Sequence, residues 1–240
     1  MPRSVSCRGE VYEHIETFKH DFFAATGLYR GPRGLCVLKM GRITEVFTLP
    51  TDWIGRFLAR REAHFYERLT GLPGVPEFVG RVGPTGILHA FVPGHQLGRK
   101  EQVSDTFFND LAALLGAIHE RGMAYVDLNK RQNVLVGDDG RPYLIDFQIS
   151  AHISRDWSRI PPLGWLLVRF QQADRYHLLK HKRRLRPDLL TDAERASVEH
   201  VSFWIRLHRV VARPLTNLRR SMLRRLGKSE MIEVSGASAK

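Results

Sequence analysis

Cysteine is nearly absent: Cys7 and Cys36 are the only two, and no CxxC spacing occurs. A disulfide framework and a thiolate-held zinc are therefore excluded, and two buried or idle thiols are expected. Long apolar runs are missing too. The longest uncharged apolar run, 160–168, has nine residues and two prolines, well short of the ~20 needed to cross a bilayer. Residues 1–16 alternate charges where a secretory segment needs an unbroken apolar core. A cytoplasmic location is expected, extending at most to attachment at the inner face of a membrane. No internal repeat is found, and no low-complexity segment beyond a polar tail at 235–240.

What is present suffices for a folded protein: 240 residues, 43% of them hydrophobic, give a real core. The net charge of +12 is uneven. Residues 175–228 hold fifteen Lys/Arg against four Asp/Glu, a balance of +11, and the other 186 residues hold 22 against 21. The first hundred residues predict short strands at 10–18, 22–29 and 35–40 around punctuation such as RGPRG. Thr51 is placed to cap a helix over 52–69 that closes at Gly71 and Pro73. Further strands are predicted at 75–82 and 86–92. Beyond PGHQLG the chain turns mostly helical, with Ser104 expected to cap a helix whose Phe107, Leu111, Leu114, Leu115 and Ile118 form a buried stripe.

Two aspartates stand out in YVDLNKRQNVLVGDDGRPYLIDFQIS, residues 125–150. Apolar runs at 134–136 and 143–145 flank GDDG, which is hairpin chemistry. Asp127 precedes the first run and Asp146 follows the second, so a hairpin brings the two carboxylates side by side. Neighbouring carboxylates repel unless a cation lies between them. With Asn133 as a neutral oxygen donor, Asp146, water and phosphate oxygens make a hard ligand set suited to Mg2+.

These residues resemble the catalytic segment of the protein-kinase-like superfamily, in which a catalytic-loop aspartate, a metal-binding asparagine and a DFG aspartate occur in this order. Asp146-Phe147-Gln148 resembles the DFG element with its glycine replaced. Asp127-Leu128-Asn129 is similar to the DLN of small bacterial lipopolysaccharide-core kinases, and the compact build resembles RIO-type atypical kinases. In GLCVLKMG, Lys39 interrupts an apolar strand and resembles the lysine that contacts nucleotide phosphates. Glu62 falls on the apolar face of the predicted helix made by Ile54, Leu58, Phe65 and Leu69, and an inward carboxylate needs a cation. Lys39 is the natural partner. The alternative is that Lys39 extends its ammonium to water while Glu62 pairs locally near Arg61 or with Arg68.

The resemblance implies an α+β, bilobal fold with a small antiparallel-sheet lobe at 1–93, a mainly helical lobe at 94–202 and a basic extension at 203–240. It implies ATP and Mg2+ as ligands. Lys39 and Glu62 would serve the nucleotide, Asn133 and Asp146 the metal, and Asp127 and Asn129 the catalytic loop, with Asp127 orienting or deprotonating an acceptor hydroxyl. The expected function is transfer of the ATP γ-phosphate to a hydroxyl, with a protein serine or threonine placed ahead of a sugar on a membrane glycolipid. A scaffold that keeps the fold and binds partners through its basic helices is the third expectation. Four departures bear on this. Asp127 and Asn133 are one residue further apart than the family's DxxxxN, which leaves Gln132 as an alternative to Asn133. Tyr125 and Val126 stand where the family has histidine and arginine. No GxGxxG precedes Lys39, so FKHDF at 18–22 would cover the phosphates. No APE follows Asp146, so a peptide-binding activation segment is absent or shortened.

Other features are weaker. Leu226-Gly227-Lys228-Ser229 ends like a phosphate-binding loop, but Met222 stands where the motif needs glycine. His177 and His181 are four apart on a predicted helix, and surface histidines are expected there rather than a metal site. Asp174 fits either an anchor for the catalytic loop or an ordinary surface aspartate. Residues 203–228 carry eight Lys/Arg and no acid. Phe203, Leu207, Val210 and Val211 form one stripe; after Pro214, Leu215, Leu218, Met222 and Leu226 form another. These helices suit either packing with solvated arginines or docking on anionic lipid headgroups. Nucleic acid is not expected, since no aromatics interleave the basic residues.

Overall fold

The computed structural model describes residues 1–20, 24–41 and 52–199, in a compact unit Met1–Thr191 and a second unit Asp192–Lys240. In the first unit, strands β1 (Ser4–Cys7), β2 (Glu10–His20), β3 (Ala24–Gly31), β4 (Gly34–Gly41), β5 (Phe78–Val82) and β6 (Gly86–Ala90) form an antiparallel sheet in the order β1-β2-β3-β4-β6-β5. The Gly31–Gly34 end of the β3–β4 hairpin is in register with Lys39 opposite Thr26 and Ile87. The two edges approach each other, since the Cys7 thiol donates to the Arg81 carbonyl at 3.6 Å.

Alternation decides which side chains of β1–β6 meet. Tyr12, Tyr29, Cys36, Leu38, Val82 and Leu88 fill one face with Cys7 and Val79. Both thiols are buried and unpaired, and burial pushes Cys36 up to about 11. The other face meets helix α1 (Asp52–Arg68), which buries Ala59, Glu62, Ala63, Phe65 and Tyr66, with Leu69 just beyond its end. This face is centred further from Leu58 than the periodicity suggests, and Leu58 is only half-buried. The Thr51 cap, the Ile54 side chain and part of the 18–22 turn lie outside what is described.

A short strand β7 (Gly94–Gln96) leads into helix α2 (Phe107–Glu120), which buries Phe107, Leu111, Leu114, Leu115 and Ile118 as predicted. Its N-cap is Thr106 rather than Ser104; the Ser104 carbonyl receives the Phe107 N–H instead. Strands β8 (Met123–Ala124), β9 (Val134–Gly137), β10 (Pro142–Leu144) and β11 (Ala151–His152) complete two small sheets, ordered β10-β9-β7 and β11-β8. The GDDG hairpin forms with Leu135 opposite Tyr143. Helices α3 (Arg155–Ser158) and α4 (Pro161–Leu185) follow, and α5 (Asp192–Glu199) is the described part of the second unit. No described helix is long and apolar enough to cross a membrane. The architecture is the mixed, bilobal α+β arrangement expected from the sequence.

His89, on β6, is buried with its ring stacked 5.3 Å from that of Tyr66. Burial, aided by the charge of Lys39, drops its pKa from 6.5 to about 4. The unfolded chain takes up this proton near 6.5 and the folded chain only near 4, so stability is complete above 6.5 and falls as pH drops toward 4. The loss across that window is about 3 kcal/mol. Urea melts over the same range should show this acid slope in the wild type and a clearly flatter one in His89→Phe.

Candidate functional site

The site begins with one ammonium shared by two acids. Lys39, inward on β4, reaches Glu62 on α1 at 3.1 Å and Asp146 after β10 at 2.7 Å. Glu62 is 1% exposed. The local alternative is excluded, because Arg68 donates to His64 at 2.9 Å and Glu62 takes Lys39. Burial pulls the Lys39 pKa down, but Glu62 and Asp146 outweigh it and the net shift is upward. Burial likewise raises Asp146, and the closer contact with Lys39 overturns that and leaves it low. Burial keeps Glu62 above its ordinary value despite Lys39. One cation thus serves two carboxylates unequally, and with both acids ionised the trio would carry a formal negative charge.

Backbone shape aims Asp146 at this trio. It adopts φ +64°, a left-handed conformation that aspartate tolerates better than bulkier residues. The turn sends Phe147 into the core, stacked with Phe65 and edge-on to Tyr66 and Tyr125. Gln148 uses its side-chain amide to hydrogen-bond Glu62. Arg61 of α1 also donates to the Ser150 carbonyl. The helix is therefore tied to the segment after Asp146 at several points.

Asp127 lies on a second, strained loop. Its N–H donates to the Tyr125 carbonyl at 2.9 Å, closing a three-residue turn around Val126, which sits at φ +70°. A β-branched residue in that region is strained and persists only where its surroundings hold it. Asp174 on α4 does so: fully buried, it accepts the N–H groups of Tyr125 and Val126, both at 2.8 Å, and lies 3.1 Å from His119 Nε2. It is the loop's anchor and not a surface aspartate. Two turns on, His181 is buried and its Nε2 meets the Leu128 carbonyl at 2.7 Å. The expectation of a surface histidine at 181 is corrected: helical spacing puts residues 171, 174, 178 and 181 on one face, and Gln171 joins the loop's neighbours by donating to the His119 and Met123 carbonyls.

Asn133 is placed where the extra loop residue left it in question. A 3-10 turn at Arg131–Asn133 absorbs the insertion, so that the Asn133 side-chain amide donates to Asp127 Oδ2 at 2.9 Å while Gln132 is exposed. Lys130 donates to the same oxygen at 2.6 Å. Burial raises the Asp127 pKa against the pull of Lys130 and Asn133. Asn129 is exposed and receives a contact from Lys180 at 3.4 Å, away from the oxygen that Lys130 and Asn133 share. Lys130 was not singled out from the sequence, where a cation three residues after Asp127 was the available signal; His181 was weighed only as a surface or metal-binding histidine and Gln148 only as a replacement for glycine, and neither was expected to hold the site.

The donor set fits Mg2+. The negative trio calls for a further cation, Asp146 supplies a carboxylate, and Asn133 keeps its amide oxygen while its nitrogen serves Asp127. Among the described residues no three His, Cys, Asp or Glu side chains are grouped as metal ligands. Two protein donors completed by water and phosphate suit this ion, which keeps much of its hydration.

No family model and no curated protein matches the chain. Solved structures do. The chain is similar to the Rio2 kinase of Chaetomium thermophilum in its ADP/Mg2+-phosphoaspartate complex, with 16% identity and a TM-score of 0.54 over 78% of this chain and 62% of that one. A second structure of that kinase gives 15%, 0.55, 79% and 64%. The chain spans less than two thirds of the length of these proteins. The likeness shows a protein-kinase-like fold of the RIO type.

Asp174 carries the clearest structural prediction. Asp174→Asn presents an NH2 to one of the two loop amides, which strands a buried donor at about 1–3 kcal/mol. Chemical denaturation should find the variant less stable by that amount, whereas an unchanged midpoint would mean that the loop does not depend on this carboxylate.

Proposed function

We propose that the chain is an ATP-dependent phosphotransferase that moves the γ-phosphate to a hydroxyl, with a protein serine or threonine as acceptor. The observation that carries this reading is the Lys39 ammonium held between Glu62 and Asp146, which brings together residues from β4, α1 and the turn after β10. A purely structural ion pair has no need of a second, partly exposed acid. The surplus negative charge, the Asp127–Asn133 pair and the fold shared with an enzyme solved with ADP and Mg2+ all support it.

In this reading Lys39, steadied by Glu62, holds the nucleotide's phosphate oxygens. Asp146 and Asn133 would hold Mg2+, which when bound neutralises phosphate charge. Phe18 and Phe91, with ring centres 6.4 Å apart, offer an aromatic rim for the base. Asp127 accepts a hydrogen bond from the acceptor hydroxyl, aims its oxygen at the phosphorus and receives its proton as the new P–O bond forms and the bond to the ADP oxygen breaks. Lys130, already on Asp127, is placed to meet the charge on the transferred group. Positioning and charge neutralisation supply most of the rate, because phosphoryl transfer asks for little covalent chemistry from the protein. The bonds from Gln148 and Arg61 hold α1 without a phosphorylated loop, which agrees with Val126 standing where the family has arginine.

A glycolipid acceptor is the second reading. It is favoured by exposed Trp157, Ile160, Trp165, Leu166 and Val168 on α3, α4 and the residues joining them, a composition suited to a membrane interface.

The test is labelled ATP with Mg2+ against separate protein and lipid extracts. Transfer into the protein fraction is expected, and label confined to lipid would favour the second reading. Asp127→Asn should keep ATP binding and lose turnover by about a thousandfold. Asp146→Asn should weaken Mg2+-dependent nucleotide binding itself. Turnover that survives Asp127→Asn would refute the assignment.

A further inference from the structure

Three segments bring cations to the rim of the Asp127 loop. Leu97 N–H donates to the Val134 carbonyl at 2.8 Å, which lays the chain leading to Arg99 beside the turn that carries Arg131. The contacts of His181 with the Leu128 carbonyl and of Lys180 with Asn129 press the C-terminal half of α4 against the same loop, so Lys180 and Arg184 stand beside Arg131. Arg131 is half-buried, and burial, then the like charges of Arg184 and Arg99, lower its pKa. Like charges gathered at this density are unfavourable for the folded chain alone.

Among the described residues, four acids in or beside these segments have other partners. Glu101 accepts the Gly98 N–H at 3.0 Å and meets His95 at 3.2 Å, while Asp105 and Asp188 are taken by Arg186, each at 2.7 Å. Asp127 is held by Lys130 and Asn133. The rim therefore offers an anion-binding surface next to the carboxylate that would orient the acceptor.

We infer that this rim selects the acceptor: Arg99, Arg131, Lys180 and Arg184 bind acidic residues flanking the serine or threonine of an extended peptide. The inference rests on the phosphotransfer reading and deepens it. Spacing favours a peptide over a compact anion. Lys180 and Arg184 are one helical turn apart, roughly 6 Å along the axis. Alternate side chains of an extended chain recur at roughly 6.6 Å on one side. A row of carboxylates at every second residue thus matches a row of cations at every fourth on a helix, and arginine's planar fork suits carboxylates. Opposite charge also speeds encounter in a salt-dependent way.

The experiment compares equal-length serine peptides flanked by Glu, Ala or Lys, with a phosphorylated saccharide as a fourth acceptor, in the wild type and in Arg131→Glu, Arg184→Glu and the pair. MgATP binding, followed by thermal shift, reports on the fold and the nucleotide site in each. The expected result is a kcat/KM about tenfold or more above neutral for the Glu peptide, falling with salt. The double variant should lose this preference or turn it toward the Lys peptide, with its MgATP shift unchanged. Equal use of Glu and Ala peptides, a preference that survives the double reversal, or transfer only to the saccharide would each overturn the inference and leave phosphotransfer standing. Failure of the wild type to bind MgATP would remove the phosphotransfer reading, and this inference with it.

Discussion

The Lys39 ammonium is the constraint on which the site depends. Its two acids come from elements with no contact along the chain, Glu62 from a helix and Asp146 from a turn more than a hundred residues after the lysine. An amine and a carboxylate at this depth are tolerable only as partners. Folding must therefore bring β4, α1 and the segment after β10 into one register. Phe147 supplies the apolar side of the same bargain, filling the space between α1 and Tyr125 so that the left-handed Asp146 has one direction in which to point.

The second half of the site is held by a different device. Val126 occupies a backbone region that its branched side chain disfavours, and the buried Asp174 carboxylate compensates by taking two consecutive amides. Strain kept in place by a buried acceptor fixes the position of Asp127 without giving it a bulky support. The approach to its carboxylate stays with Lys130 and Asn133, and the three together form a rigid, partly solvated acid. Helix α4 does this work along one face, with Gln171, Asp174 and His181 each reaching the loop or its neighbours.

Much of this was legible in the sequence because the signals were local. Strand composition and turn punctuation marked β2 and β4, the 3.6-residue period marked α1 and α2, and GDDG between apolar runs marked the hairpin that joins Asn133 to Asp146. Glu62 was recognisable as a charge on an apolar face. The remainder depends on distant partners. The two-residue strands β8 and β11 exist only because each pairs with the other. Nothing near Asp174 or His181 distinguishes a buried hydrogen-bonding side chain from a surface one, since what buries them is a loop some fifty residues earlier. Whether Asn133 or Gln132 would face Asp127 turned on how an extra residue is absorbed, and the 3-10 turn decided it.

The most direct test of the central claim is calorimetric titration of ATP into the wild type and Lys39→Met, each with Mg2+ and with chelator. The account predicts Mg2+-dependent binding in the wild type and its loss or strong weakening in a variant that still folds. ATP binding that ignores both the ion and the substitution would contradict it, because the shared ammonium would then have no part in holding a nucleotide.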